Sequence, residues 1–266
     1  MAEVGGLESL QNFNKYFLSG IYQEQLIEGN SDRGIDVGVM YRKSLDLHFE
    51  YQSNKSRPIE FLYPHELMGQ TKNAATMRGS HLFSRDASEL HVFDKVGGNT
   101  ILIALTTHLK SKLDSDRIDP LGRRRREAEA KTLGKIYNEL SQRHDCPILV
   151  TGDFNGNASS KNRAEEFVEL FNSTDLKDCF DLLDIPDEER HTFFYSHYGW
   201  MQATQLDYAL IGEKFKDRLI KNGSGVITYS NSIGEQLRRP RTRYDKDLMP
   251  SDHLPVVINI QIDEPN

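Results

Sequence analysis

A chain of 266 residues is long enough for one large domain or two small ones, and 37% hydrophobic with 27% charged residues is the balance of a soluble globular protein. A formal net charge of −7 argues against a protein that wraps nucleic acid by bulk electrostatics, yet leaves room for a phosphate-ester hydrolase, whose site needs only local positive charge and a divalent cation. No apolar run of roughly 18 residues exists, so no membrane span is expected, and Cys146 and Cys179 form neither a metal spacing nor a disulfide framework.

Reduced thiols and the absence of a signal peptide at Met1 make the cytoplasm the default. No Pro/Ser/Gly-rich linker and no repeat period interrupts the chain, so a single domain over 1–266 is expected. Near the start, Leu7, Leu10, Phe13 and Phe17 fall close to helical spacing and predict an amphipathic helix after Glu3. Residues 35–41 predict a strand. Leu45, Leu47, Phe49 and Tyr51 alternate, which predicts a half-buried strand. Residues 53–83 carry no clear pattern. Residues 89–94 alternate again, and Val96-Gly97-Gly98-Asn99 reads as a turn into a strand over 100–106, together a hairpin.

Residues 123–141 predict a helix with Leu133, Ile136, Tyr137 and Leu140 on its apolar face. Pro147 separates it from a strand at 148–151. A shorter helix is expected over 162–172, with Phe167, Leu170 and Phe171 inward and Ser159 or Ser160 as cap. Residues 222–250 hold no long apolar run and predict an extended loop before a last buried strand. Hairpins mixed with helices imply an α/β sandwich with largely antiparallel sheets.

Four strands carry Asp, Asn or His at or near an end. The run Ile148-Leu-Val-Thr-Gly-Asp153-Phe-Asn155 drives a buried strand to the surface and stops on a carboxylate and a carboxamide two residues apart. Alternation would project Asp153 and Asn155 the same way, and one carboxylate to hold a metal or a water beside one neutral donor suits a phosphoryl oxygen. The rival reading is an ordinary turn, which favours the same residue types. Asp252 and His253 precede the apolar run at 254–260, His108 tips the strand from Ile101, and Asp207 sits in the strand 205–212. Sheet ends that converge make one site.

Taken together, Thr107-His108-Leu109, Thr151-Gly152-Asp153-Phe154-Asn155, Leu206-Asp207-Tyr208 and Ser251-Asp252-His253 resemble, in order, the motifs of the endonuclease/exonuclease/phosphatase superfamily. That resemblance covers most of the chain and implies a deoxyribonuclease I-like fold: a four-layer α/β sandwich of two facing, largely antiparallel sheets flanked by helices. It also implies a metal-binding glutamate near the start, matched here only by Glu3 in Ala2-Glu3-Val4-Gly5-Gly6. The family places a strand ending in asparagine, a helix and a strand ahead of that glutamate. Only Met1 and Ala2 precede it here, so an N-terminally truncated version is expected, less stable and less active than an extended one.

The resemblance further implies Mg²⁺ (or Mn²⁺) held through Glu3 with Asp252 close by. Asp153 would position or deprotonate the attacking water, and Asn155 would donate to a phosphoryl oxygen. His253 would contact the phosphate or act as base, with Asp207 fixing its tautomer. His108 would hold a second oxygen or assist the leaving group. Substrates are phosphate esters, small molecules or nucleic acid. The alternative is a catalytically impaired family member that binds phosphate or a partner. Two basic clusters, Arg123 to Arg126 and Arg238 to Arg243, read either as solvated charge or as anion contacts, and Tyr195, Tyr198 and Trp200 as a stacking surface or as ordinary loop aromatics. The remaining histidines are expected to be structural or surface groups.

Overall fold

The computed structural model describes residues 1–68, 80–95, 98–114, 117–198 and 200–262. The turn expected at Val96 and Gly97, and the middle of the unpatterned stretch 53–83, lie outside the described residues.

In chain order the helices are α1 (Leu7–Phe17), α2 (Pro64–Met68), α3 (Arg123–Arg143), α4 (Val168–Asn172), α5 (Cys179–Leu182) and α6 (Arg243–Asp247). The strands are β1 (Tyr22–Leu26), β2 (Gly38–Arg42), β3 (His48–Ser53), β4 (Ala87–Phe93), β5 (Thr100–His108), β6 (Ile148–Asp153), β7 (Leu176–Asp178), β8 (Phe193–His197), β9 (Trp200–Thr204), β10 (Asp207–Gly212), β11 (Leu219–Val226) and β12 (Val256–Ile260).

Six strands form the central sheet in the order β3-β4-β5-β6-β10-β7. Among the described residues of this sheet β5 and β6 pair in parallel, across the α3 crossover, and the other pairings are antiparallel. The period-2 alternation of β5, β6 and β10 splits their apolar residues between two faces. Ile103, Leu105, Ile148, Val150, Tyr208 and Leu210 face α3, where the expected Leu133, Ile136, Tyr137 and Leu140 are all buried. On the other face Leu149, Ala209 and Ile211 meet Leu219, Val256, Ile258 and Ile260 of β11 and β12. Further along that face, Leu90 and Val92 meet Val39 and Tyr41 of β2.

The second layer therefore consists of two ribbons, β1–β2 and β11–β12, rather than one continuous sheet. The segment 1–4 lies against the start of β2, through Met1 N to Gly38 O and the Val4–Asp36 bridge. Between it and β12 no strand pairs among the described residues, and a cavity takes that place. With α1 outside β1–β2 (Val4, Leu10, Leu26 and Met40 packed together) and α3 outside the central sheet, the layers run helix, ribbon, sheet, helix.

Several expected elements shift. α1 buries Leu10 and Asn14, whereas Leu7, Phe13 and Phe17 are exposed. The Asn14 amide donates to Tyr22 O and the Glu24 carboxylate, which turns that face toward β1; Phe13 and Phe17 stack on each other outside. The strand expected from Leu45 begins at His48, because Leu45 N closes a turn onto Arg42 O. The helix expected over 162–172 is a 3₁₀ turn, Glu165–Phe167, followed by α4. Neither Ser159 nor Ser160 caps it, since Ala164 N donates back to Asn157 O and holds the preceding residues as a loop. The extended region 222–250 yields the end of β11 and α6, whose capping box runs between Thr242 and Asp245.

One glycine sets the register at the site. Gly152 has φ of 140°, and a Cβ there would lie 1.8 Å from Thr107 O. Only glycine lets β6 approach β5 this closely.

Candidate active site

Sheet register brings three of the expected side chains into line. His108 on β5 is the Cα partner of Asp153 on β6, and Asp153 is the partner of Asp207 on β10. Residues paired across adjacent strands share a face, and the cavity between segment 1–4 and β12 lies over the Asp153 and Asp207 part of it. That cavity, about 580 Å³, is bordered by Glu3, Asp153, Asp207 and His253.

His253 arrives from the loop before β12. Its Nδ1 donates to Asp207 Oδ2 at 2.8 Å, which leaves Nε2 for a ligand. Three further contacts fix the imidazole and its backbone: Phe193 packs its ring 4.9 Å from the imidazole, Tyr229 Oη donates to His253 O at 2.8 Å, and His253 N donates to Ser251 Oγ.

Asn155 lies beyond the end of β6, so strand alternation does not aim it. Its φ of 52° is left-handed, a conformation asparagine tolerates. Asn155 N donates to Asp153 Oδ1 at 2.7 Å and its amide to Asp153 Oδ2 at 3.0 Å. The same amide donates to Leu109 O at 3.1 Å. Carboxylate and carboxamide meet through an Asx-type turn.

His108 lies beneath Asp153, 1% exposed, with Nε2 3.5 Å from Asp153 Oδ2. It does not border the cavity. Glu3 is exposed at the cavity edge with φ of 57°. Asp252 is not brought to Glu3: its side chain is 48% exposed, pairs with Lys246 Nζ at 3.5 Å, and lies off the cavity wall.

The charges of the three inner groups follow from this placement. Burial, with the neighbouring Asp207 charge, raises the Asp153 pKa to about 7, against the pull of His253 and of the Asn155 N–H. Burial opposes charge on His253, but its hydrogen bond to Asp207 and the charges of Asp207, Asp153 and Asp252 outweigh it and raise the pKa to about 9. Burial, helped by Arg85 and His253, lowers His108 to about 3, so this ring is neutral. A carboxyl poised near neutrality beside an imidazolium is an acid–base pair.

Among the described residues, no three His, Cys, Asp or Glu side chains gather at metal-ligating distance. The donor chemistry still suits a hard, largely hydrated cation. Glu3, Asp153 and Asp207 put carboxylate oxygens on one cavity, and mutual repulsion at Asp153 is what a cation would relieve.

Residues outside the expected set complete the surroundings. Arg85, buried, donates through Nη1 to the same Leu109 O that Asn155 reaches. Glu129, fully buried on α3, accepts from Ser84 N and Lys110 N and so ties down the chain after His108. Tyr208 Oη accepts from Ala158 N, bracing the loop after Asn155. Neither Arg85 nor Tyr229 stands in a patterned stretch, and Glu129 is one acid among many in α3, so sequence offered no signal for them.

The basic clusters divide. Arg126 is buried, with Nη2 2.7 Å from Glu166 Oε1, and Arg125 donates to Leu82 O. Arg238 pairs with Asp245, Arg239 donates to the carbonyls of Glu188 and Glu189, and Arg243 pairs with Asp247. Most of this charge is structural. Tyr198 and Trp200 are exposed on the β8–β9 hairpin, whose base holds Phe193 against His253.

No protein-family model matches the sequence, and no curated protein matches it. Solved structures do. The catalytic domain of human Nocturnin with bound sulfate superposes with a TM-score of 0.56 at 16% identity, covering 94% of this chain and 76% of that one. D. rerio TDP2 complexed with a single-strand DNA product gives 0.56 at 16%, covering 93% and 79%. A Bacteroides thetaiotaomicron mannosyl-6-phosphatase gives 0.51 at 14%, covering 96% and 81%. The chain shares the fold of these structures, a deoxyribonuclease I-like α/β sandwich. No helix among the described residues is long and apolar enough to cross a membrane.

Proposed function

We propose that this chain is a divalent-metal-dependent phosphoesterase that directs water onto a phosphate ester. The observation that carries the reading is the alignment of His108, Asp153 and Asp207 across three strands, with His253 hydrogen-bonded to Asp207 over one cavity. The structural neighbours support it: one is a mannosyl-6-phosphatase and another holds a single-strand DNA product.

Glu3 is the carboxylate that would hold Mg²⁺ or Mn²⁺, which when bound supplies charge neutralisation and a more acidic water. Asp252, paired with Lys246, would have to leave that partner to join it. Asp153 holds and takes the proton of the attacking water. Asn155 exchanges Leu109 O for a phosphoryl oxygen as negative charge grows there. His253 presents Nε2–H to the phosphate or the leaving oxygen, while Asp207 keeps the imidazole protonated and oriented. His108, neutral and buried, steadies Asp153.

A second reading is a protein that binds phosphate without cleaving it, favoured by the lack of a three-donor metal group among the described residues. The test is a hydrolysis panel of bis(4-nitrophenyl) phosphate, abasic-site DNA, plasmid DNA and inositol phosphates, with Mg²⁺ or with excess EDTA. Turnover of at least one member that stops in EDTA and in His253→Ala supports the first reading. Phosphate binding without turnover of any member supports the second.

A further inference from the structure

The cavity over Asp153 and Asp207 extends well past the acid–base groups. Its volume of about 580 Å³ falls in the range of roughly 300–1,000 Å³ that encloses a whole small molecule. Strand register shows what lies along its floor. The first row across the sheet is His108, Asp153 and Asp207. Two residues along comes a row of Thr106, Thr151 and Ala209, and two further along a row of Ala104, Leu149 and Ile211. Thr106, Thr151, Ala209 and Leu149 all border the cavity. At about 3.3 Å per residue the floor therefore runs roughly 13 Å from Asp153 to Leu149. Val256 and Ile258 of β12, both half-buried, wall it on one side.

Beyond the acid row this slot is apolar surface left uncovered. Leu149 is half-buried although β6 is paired on both sides, whereas Ile148 and Val150, which face α3, are 2% and 0% exposed. The polar groups of the lining already have partners. Thr106 Oγ1 and Thr151 Oγ1 lie 3.2 Å apart and bond to each other. Tyr229 Oη donates to His253 O, Ser251 Oγ accepts from His253 N, and the Met1 ammonium donates to Gly38 O. A sugar or a nucleobase needs convergent hydrogen-bond partners to offset its desolvation. A methylene chain needs none and gains by leaving water.

The slot and the acid row are one cavity, so whatever lies along Leu149 and Ile258 belongs to the molecule whose phosphate meets Asp153 and His253. We propose that the slot seats an alkyl chain of the substrate. On the phosphoesterase reading, on which this rests, the preferred substrates are phosphate esters of long-chain alcohols rather than of sugars or nucleosides. Val256 and Ile258 are then specificity-determining, because they wall the slot beyond the acid row.

Calorimetric titration tests this without relying on turnover. Methyl-, butyl- and octylphosphonate, whose P–C bond is not hydrolysed, and adenosine 5′-monophosphate are titrated with Mg²⁺ into the full chain and into Val256→Thr and Ile258→Thr, each checked by circular dichroism. Octylphosphonate is expected to bind about tenfold or more tighter than methylphosphonate, since a fully buried methylene is worth roughly three- to fourfold. Adenosine 5′-monophosphate should bind within a few-fold of methylphosphonate. Each threonine variant should narrow the octyl-to-methyl ratio several-fold and leave the methyl affinity unchanged. If one variant fails to fold, the other decides. No binding of octylphosphonate, equal affinities along the series, a ratio that survives the substitutions, or adenosine 5′-monophosphate bound as tightly as the octyl probe overturns the proposal. So does a dimer in sedimentation velocity that octylphosphonate leaves intact and Ile258→Thr dissociates, because a second copy then fills the slot. Failure of the hydrolysis panel would strike the phosphoesterase reading and leave the octyl-to-methyl ratio legible.

Discussion

The end of the central sheet and the segment 1–4 meet at one cavity but are held in different ways. Asp153 and Asp207 lie on strands paired on both sides, above a core of Ile103, Leu105, Val150 and Leu133. Glu3 hangs on a segment attached through the Val4–Asp36 bridge and Met1 N, with its own side chain exposed. The proposed acid–base groups are therefore placed by the cooperative fold, whereas Glu3, the carboxylate proposed for a cation, is placed by a local attachment. Rigid support is what keeps a catalytic group within range, and a loosely held ligand binds metal weakly.

Four changes should break or sharpen that contrast. The largest effect belongs to the proposed acid–base pair: His253→Ala should lower turnover roughly 10²–10⁴-fold. Near-normal turnover in that variant would remove His253 from the chemistry. Next is the core under the sheet end. Leu133→Ala should cost about 2–5 kcal/mol in a urea melt, the price of a cavity against Ile148 and Val150. The attachment of segment 1–4 should matter less to the fold: Val4→Ala should cost roughly 1 kcal/mol. A Val4→Ala loss as large as that of Leu133→Ala would erase the distinction. Glu3→Gln should leave the melt unchanged and weaken Mg²⁺ binding by about tenfold or more, read by calorimetry.

Protonation separates the groups further in the metal-free protein. His253 has a folded-state pKa of about 9 against about 6.5 unfolded, so its stabilising contribution is complete below about 6.5 and is lost as pH rises through 9. Asp153, raised to about 7 from about 3.9, likewise makes the fold less stable as pH rises between those values. His108, lowered to about 3, runs the other way and costs stability as pH falls below 6.5. NMR titration in EDTA should find the His253 ring near 9, moving down in Asp207→Asn, where hydrogen bond and charge are both weakened. A ring titrating near 6.5 in the unmodified chain would mean that Asp207 does not hold it.

The motif residues were legible because strand ends announce themselves: an apolar run that stops on Asp153, or begins just after His253, can be read from one sequence. The strands and α3 were legible for the same reason, by period. What period does not reveal is who shares a hydrogen-bond partner. Arg85 meets Asn155 through a carbonyl across a fold of the chain, and Asp252 turns to Lys246 although it adjoins His253. The face of α1 was misjudged because Asn14, polar by type, is buried by two hydrogen bonds while Phe13 and Phe17 stack outside. Gly152 looks like any turn glycine in sequence; its closeness to Thr107 O exists only in the sheet.

The most direct test is steady-state hydrolysis of bis(4-nitrophenyl) phosphate by the unmodified chain and by Asp153→Ala, each in Mg²⁺ and in excess EDTA. Turnover is expected in one of the four conditions, the unmodified chain with Mg²⁺, with a loss of roughly 10²–10⁴-fold in Asp153→Ala. Undiminished turnover in EDTA, or in a correctly folded Asp153→Ala, would contradict the account.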